Sequence, residues 1–323
     1  MKIAIVGAGA IGAFLGAKLA LAGEDVYLIA RGLHLKAMQA NGVRVRSPEG
    51  NFEAHPTATH DYESIGPVEY VFLTVKAHSL TAIAPSLAPL LGPDTAVVSA
   101  QNGIPWWYFM GQGGPFDGSS IESIDPGGVI AHAIDSSRVI GCVVYPSTVI
   151  VEPGVIEHIE GNRFSIGELD GTSSERCKRL AASLISAGLR APIRGHIRHD
   201  MWIKLLGNVV FNPMSALTGA TLVEMATHPE SSDIVRAVMA EADAVAEGLG
   251  VRLPLTIDQR MDGARKVGAH RTSMLQDLEA GRPMELESVV GVVIELGEKL
   301  GLPMPHTRTL YSCARLLDQV RTQ

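Results

Sequence analysis

The sequence predicts an α/β N-terminal domain built on a doubly wound, mainly parallel sheet, followed by an all-α C-terminal domain. Three observations predict it. The first half alternates short apolar runs with segments of helical periodicity. A glycine cluster, Gly7-Ala8-Gly9-Ala10-Ile11-Gly12, separates the first apolar run from the first helix. Strand signals vanish beyond about His196. The 323 residues exceed one ordinary domain, and the boundary is placed near residue 195, giving domains 1–195 and 196–323.

Taken in order, Lys2–Val6 is a buried-strand run, and Ile11–Ala22 carries apolar residues at helical spacing until Gly23 stops it. Asp25–Ile29 is a second strand and Leu33–Ala40 a short helix. Residues 43–59 alternate polar and apolar around Pro48-Glu49-Gly50, which predicts a hairpin excursion. Glu69–Val75 is strand, His78–Leu91 helix and Thr95–Ser99 strand. Strand signals return over Val139–Glu168, with turns at Glu152-Pro153-Gly154 and Gly161-Asn162. Ser174–Ala187 is an amphipathic helix, and Arg190–Ile193 a last extended piece. Six helices follow: Met201–Leu217, Glu230–Leu249, Leu255–Val267, Thr272–Ala280, Leu286–Leu300 and Pro305–Val320.

Composition excludes several function classes. A net charge of −7 provides no electrostatic footprint for nucleic acid or an anionic membrane. No apolar stretch approaches the ~18 residues of a membrane span, and the run Ile3–Val6 is too short for a signal-peptide core. Three scattered cysteines, Cys142, Cys177 and Cys313, fit a reducing compartment rather than a disulfide framework or a zinc site, so a cytoplasmic protein with no metal is expected.

The glycine cluster follows a strand and opens a helix, the context of a dinucleotide-binding Rossmann fingerprint. Gly7 allows the tight turn, Gly9 lets the backbone approach a pyrophosphate, and Gly12 lets the helix pack on the sheet. The phosphates then meet the N–H groups of Ala10, Ile11 and Gly12 at the helix N-terminus. A glycine-rich turn without a ligand is the plainer reading. NAD enzymes usually end the second strand in a carboxylate for the ribose 2′-OH. Here that strand ends in Ala30-Arg31-Gly32, and Arg31 can pair with a 2′-phosphate, so NADPH/NADP is the expected cofactor.

The segment Met201–Leu217 is apolar nearly all round, yet Lys204, Asn208 and Asn212 recur at i, i+4 and i+8. That spacing sets them on one slowly drifting stripe. Buried polar groups are costly without partners, so the stripe reads as the lining of a ligand cleft. Equally open is a solvated helix edge with Lys204 reaching outward. In a cleft, partial desolvation suits Lys204 to protonate the alkoxide formed when hydride reaches a carbonyl.

With these segments in view, the chain resembles the ketopantoate reductases, the 2-dehydropantoate 2-reductases of pantothenate synthesis. The resemblance rests on GAGAIG at 7–12, LTVKA with Lys76, QNG with Asn102, WIKLLGNVVFNP at 202–213, SMLQDLEAGRPMELE at 273–287, and EPGVIEHIEGNRFSIGE at 152–168. It implies that Lys204 is the general acid and that Glu285 binds the substrate hydroxyl and supports the lysine. It implies that Asn208, Asn212 and Ser273 hold the substrate's hydroxyl and carboxylate. Lys76 and Asn102 lie on the nicotinamide side, Asn102 also reaching substrate, and Arg31 is the 2′-phosphate contact. On residues alone, Ser273 reads as an N-cap or first-turn residue of its helix, Glu285 as a first-turn carboxylate, Lys76 as a solvated strand-end charge and Asn102-Gly103 as a turn.

One stretch departs from the family pattern. After Asn102-Gly103 come Trp106-Trp107-Tyr108-Phe109 and the Gly/Ser-rich residues 111–128. These aromatics read as a satellite core under a long loop, or as a cover that selects a bulkier 2-keto acid. The expected partner is thus a small 2-keto acid, ketopantoate first, with a homodimer as the assembly to test. A non-catalytic NADPH-binding sensor is the remaining alternative, disfavoured because Lys204 and Glu285 are both present.

Overall fold

The structure is a computed structural model and describes residues 1–322. It divides into two compact units, Met1–Ile197 and Arg198–Gln323.

The first unit holds eleven strands. β1 (Lys2–Val6), β2 (Asp25–Ile29), β5 (Thr57–Thr59), β6 (Val68–Leu73), β7 (Leu91–Ser99), β8 (Val139–Val144) and β11 (Phe164–Glu168) form one sheet in the order β11-β8-β7-β6-β1-β2-β5. All neighbours run parallel except β11, which is antiparallel to β8. The order reverses between β1 and β6, so the crevice outside their carboxyl ends is the topological switch point where such sheets bind ligands. β3 (Val43–Arg46), β4 (Phe52–Ala54), β9 (Ser147–Glu152) and β10 (Val155–Glu160) make a second sheet in the order β4-β3-β10-β9. The predicted hairpin is therefore real as β3–β4, but its last strand leaves it. β5 pairs with β2 at the edge of the main sheet instead.

Helix α1 (Ala10–Leu21) runs between the two sheets. Gly12, Phe14, Leu15, Ala17 and Leu19 are buried, which explains why its sequence is apolar on more than one face. Phe14 stacks on His158 of β10, ring centroids 4.6 Å apart, and Lys18 lies 4.8 Å above the ring of Phe52 on β4. The second sheet thus covers α1 and fixes it against the first. The unit's other helices are α2 (Gly32–Asn41), α3 (Ala77–Ile83), α4 (Val129–Ala133) and α5 (Glu175–Ser186). The predicted helix over 78–91 splits after Ile83 into a tight 3-10 turn, Ala84–Leu90, because Pro85 and Pro89 remove backbone donors. Arg190 and Ile193 form isolated bridges rather than a strand.

Trp107, Tyr108 and Phe109 are fully buried and Trp106 is 2% exposed. Phe109 packs 5.5 Å from Phe116 and 5.2 Å from Tyr108, and the Trp107 ring fills the space that Gly141 of β8 leaves open. The aromatic run is a satellite core of this unit.

The second unit is helical: α6 (Ile197–Thr218), α7 (Leu222–Thr227), α8 (Pro229–Gly248), α9 (Ile257–Val267), α10 (Ser273–Glu279), α11 (Val292–Lys299) and α12 (Pro305–Thr322). α7 was not expected from the sequence. A capping box, Thr221 with Glu224, starts it. The helix expected over 286–300 opens with a π turn, Glu287–Gly291, before α11. Among the described residues no helix is long and apolar enough to cross a membrane, and no group of three or more His, Cys, Asp or Glu could hold a metal ion.

Candidate active site

The glycine turn lies at the carboxyl end of β1, on the reversal of strand order. Gly7 has φ +98, and a Cβ there would stand 2.6 Å from the Val75 backbone nitrogen. Only glycine fits the conformation and the space. The amides of Gly7 and Ala8 both donate to the Ile29 carbonyl, at 3.1 and 2.9 Å, which ties the turn to β2. A Cβ on Gly12 would stand 2.5 Å from both the Gly7 carbonyl oxygen and Thr74 Oγ1, so α1 approaches the sheet closely. Gly9 differs: its Cβ would meet nothing nearer than 3.9 Å, so one side of the turn is open. Gly9 is also the N-cap of α1 and no side chain caps it. The amides of Ala10, Ile11 and Gly12 therefore open the helix with no acceptor from a capping side chain, and the helix dipole adds positive potential there. An open face, a positive helix end and close-packed flanks suit a pyrophosphate, so the residues present fit a dinucleotide.

Three more residues stand at the same edge because parallel neighbours end together. Arg31 follows β2, N-caps α2 and is exposed. Lys76 follows β6, N-caps α3 and is half-buried. Asn102 follows β7 and is half-buried ahead of Gly103 at φ +86. The register Val6↔Leu73 and Leu73↔Ser99 sets the β1, β6 and β7 ends side by side.

In the second unit, α6 is the informative element. From Met201 to Ala216 every residue is buried except Ile203, Lys204 and Asn208. The helix thus has one partly open strip, and two of its three residues are the polar pair. Asn212, the third member of the stripe, is 6% exposed. Each i to i+4 step turns the stripe by about 40°, which carries Asn212 further into the packing. α6 continues through Pro213, although that ring leaves the carbonyl four residues earlier without its helical donor.

Ser273 is the first residue of α10 and is exposed. The cap is its neighbour: Thr272 Oγ1 accepts from the Leu275 amide at 3.3 Å. Capping therefore does not use the Ser273 hydroxyl. Glu285, 7% exposed, lies in the connection between α10 and the π turn. That connection is locked at its start: the Arg282 amide donates to the Asp277 carbonyl at 2.8 Å, and Arg282 Nε to Asp277 Oδ1 at 3.0 Å.

Sequence reasoning missed Arg260. A Cβ on Gly207 would fall 2.6 Å from its Nε and 2.7 Å from its Cζ, so the guanidinium lies against α6 one residue before Asn208. The signal was a glycine inside a buried helix, which marks a close approach.

Comparison with known proteins supplies the family. The family model described as ketopantoate reductase PanE/ApbA matches residues 3–115, and the one for the C-terminal part of that family matches 196–318. A 2-dehydropantoate 2-reductase from Mesorhizobium japonicum is 49% identical over 98% of both chains. One from Archaeoglobus fulgidus is 30% identical over 97% of both. A crystal structure from Ralstonia solanacearum, assigned to ketopantoate reductase, superposes with a TM-score of 0.94 at 42% identity, covering 99% of this chain and 98% of that one. The glycine turn at the strand reversal, the polar strip of α6 and these full-length matches agree, and the chain belongs to the ketopantoate reductase family.

Proposed function

We propose that this protein reduces 2-dehydropantoate to pantoate with NADPH. The full-length likeness to the 2-dehydropantoate 2-reductases supports the reaction. The observation that carries the chemistry is the α6 strip, where Lys204 and Asn208 are the polar members of the only partly open face between Met201 and Ala216. A half-buried lysine loses part of its hydration, which favours giving up its proton. Lys204 is assigned as the general acid that protonates the C2 oxygen. Glu285, buried beside the π turn, is assigned to the substrate hydroxyl and to support of the lysine charge. Asn208, Asn212, Ser273 and Asn102 are assigned to the keto acid's carboxylate and hydroxyl, neutral donors that orient it without competing for the proton.

The cofactor, when bound, supplies the hydride. Gly7, Gly9, Ala10, Ile11 and Gly12 are assigned to its pyrophosphate, Arg31 to the 2′-phosphate, and Lys76 and Asn102 to the nicotinamide end. In this reading residues 1–195 are the cofactor domain and 196–323 the substrate domain, a division supported by the two compact units. The full burial of Trp107, Tyr108 and Phe109 favours packing over a specificity role for the aromatic run. The reaction is assigned to the cytoplasm, consistent with three cysteines that form no disulfide among the described residues, and a homodimer is the assembly to test by sedimentation.

The test is NADPH oxidation followed by its absorbance, with ketopantoate beside a panel of other 2-keto acids. Turnover of ketopantoate well above the others is expected. Turnover of bulkier acids alone would keep the chemistry and reassign the substrate. No turnover of any keto acid, with NADPH bound, would sink the enzymatic reading in favour of a sensor.

A further inference from the structure

The residues on either side of Glu285 are tied to α12 at two points. The Met284 amide donates to Asp318 Oδ1 at 3.1 Å. Tyr311 Oη donates to Glu287 Oε1 at 2.5 Å. Burial first, and then the bond to this carboxylate, push the phenol up to about 12, so Tyr311 keeps its proton across the neutral range and stays the donor. The Glu287 carboxylate folds over Gly291, where any Cβ would collide with Oε2, and the Tyr311 ring edge would be 3.4 Å from the same point. Arg315 sits beyond, with Nη1 3.4 Å from the phenol oxygen.

Tyr311 and Asp318 are seven residues apart on α12, two helical turns, and so share a face. Their two attachment points, Met284 and Glu287, bracket Glu285. At the second of these points the chain enters the π turn Glu287–Gly291. Such turns are rare in helices and occur frequently at functional sites. The bracket also separates two carboxylates that stand two residues apart in the sequence. Glu287 is engaged by the Tyr311 hydroxyl.

We propose that α12 is the brace that positions Glu285, with Asp318 and Tyr311 as positioning residues for the reductase reaction. The proposal rests on the assignment of Glu285 to substrate binding made above. Asp318 holds the main chain one residue before Glu285. Tyr311 holds the π turn that begins two residues after it. Releasing either point lets the Glu285 carboxylate drift, and a displacement of the order of an ångström at a reacting centre is enough to depress catalysis.

The test uses the full chain with four variants: Tyr311→Phe, Asp318→Ala, Asp318→Asn and Glu285→Gln. Steady-state kcat and KM are measured for ketopantoate and for NADPH, with thermal unfolding alongside. Tyr311→Phe and Asp318→Ala are expected to lower kcat/KM for ketopantoate about tenfold or more while the KM for NADPH stays within about twofold. Asp318→Asn keeps an amide oxygen for the Met284 amide and is expected to recover most of the loss. Tyr311→Phe and Asp318→Ala variants that lose thermal stability but keep wild-type ketopantoate kinetics overturn the brace while leaving the Glu285 assignment standing, provided Glu285→Gln is impaired. Full activity in Glu285→Gln overturns both, because there is then no catalytic carboxylate to position.

Discussion

Thr74 Oγ1 donates to the Gly7 carbonyl at 2.9 Å, across the seam where strand order reverses between β6 and β1. The Thr74 amide also donates to the Val6 carbonyl at 2.9 Å, so two bonds hold the turn to the neighbouring strand end. This latch separates the roles of two glycines. A methyl on Gly12 would press on both partners of the latch, at 2.5 Å from each. Gly12→Ala is therefore expected to lower both thermal stability and NADPH affinity, through a strained contact costing on the order of 1–3 kcal/mol. A methyl on Gly9 meets nothing closer than 3.9 Å in the protein. Gly9→Ala is expected to fold as the wild type yet bind NADPH more weakly, since its methyl enters the space assigned to pyrophosphate. Paired melting curves and NADPH titrations check this. Unchanged NADPH affinity in Gly9→Ala would remove the open side of the turn from the cofactor site.

Arg31 stands exposed at the end of β2, where no carboxylate follows the strand. A charge-assisted bond to a 2′-phosphate contributes roughly 1.5–3 kcal/mol. Arg31→Ala is expected to weaken NADPH about tenfold or more and to leave NADH almost untouched. Titration of both cofactors by fluorescence reads the preference directly. An equal loss for both would make Arg31 a general electrostatic contributor, and no loss would exclude it.

Lys204 is half-buried on a helix whose neighbouring turns are closed. Lys204→Ala is expected to reduce kcat by about 100-fold or more, the scale of a lost general acid, with NADPH affinity nearly unchanged. The pH profile gives a second reading: the alkaline limb of kcat, where a general acid loses its proton, should change shape in the variant. A variant of wild-type activity would return Lys204 to the role of a helix-edge charge.

What could be read from the sequence was local. β1 and β2 occupy the predicted residues because a short apolar run, punctuated by glycine, leaves few alternatives. The α6 stripe was legible because polar residues at i and i+4 stand out in an apolar helix. β5 was misplaced because Thr57-Ala58-Thr59 carries no local sign of pairing with a strand some 30 residues earlier. α7 was passed over although Thr221 and Glu224 spell its capping box. Gly207 marked a close approach without naming Arg260 as its partner, and the ties from α12 to Met284 and Glu287 were out of reach because each joins distant segments, and no periodicity encodes such a contact.

The same helix, α12, offers a stability prediction whose sign follows from protonation. Glu241 of α8 receives the N-terminal amides of α12: His306 N–H at 2.9 Å and Thr307 N–H at 2.8 Å, with the Thr307 hydroxyl at 2.6 Å. Burial alone would raise its pKa, but the Thr307 hydroxyl and the two amides outweigh that and hold the carboxyl below its ordinary value. A folded pKa below the unfolded one means stability that is present above the unfolded value, near 4.3, and lost as pH falls through the folded value. Glu241→Ala is expected to cost about 1–3 kcal/mol at neutral pH by stripping the acceptor from the first turn of α12. The gap between wild type and variant should be widest above the unfolded pKa and should shrink below it. Denaturant unfolding of both proteins at neutral and acidic pH measures that gap, and a gap that stayed constant would mean that Glu241 contributes through packing rather than through its charge.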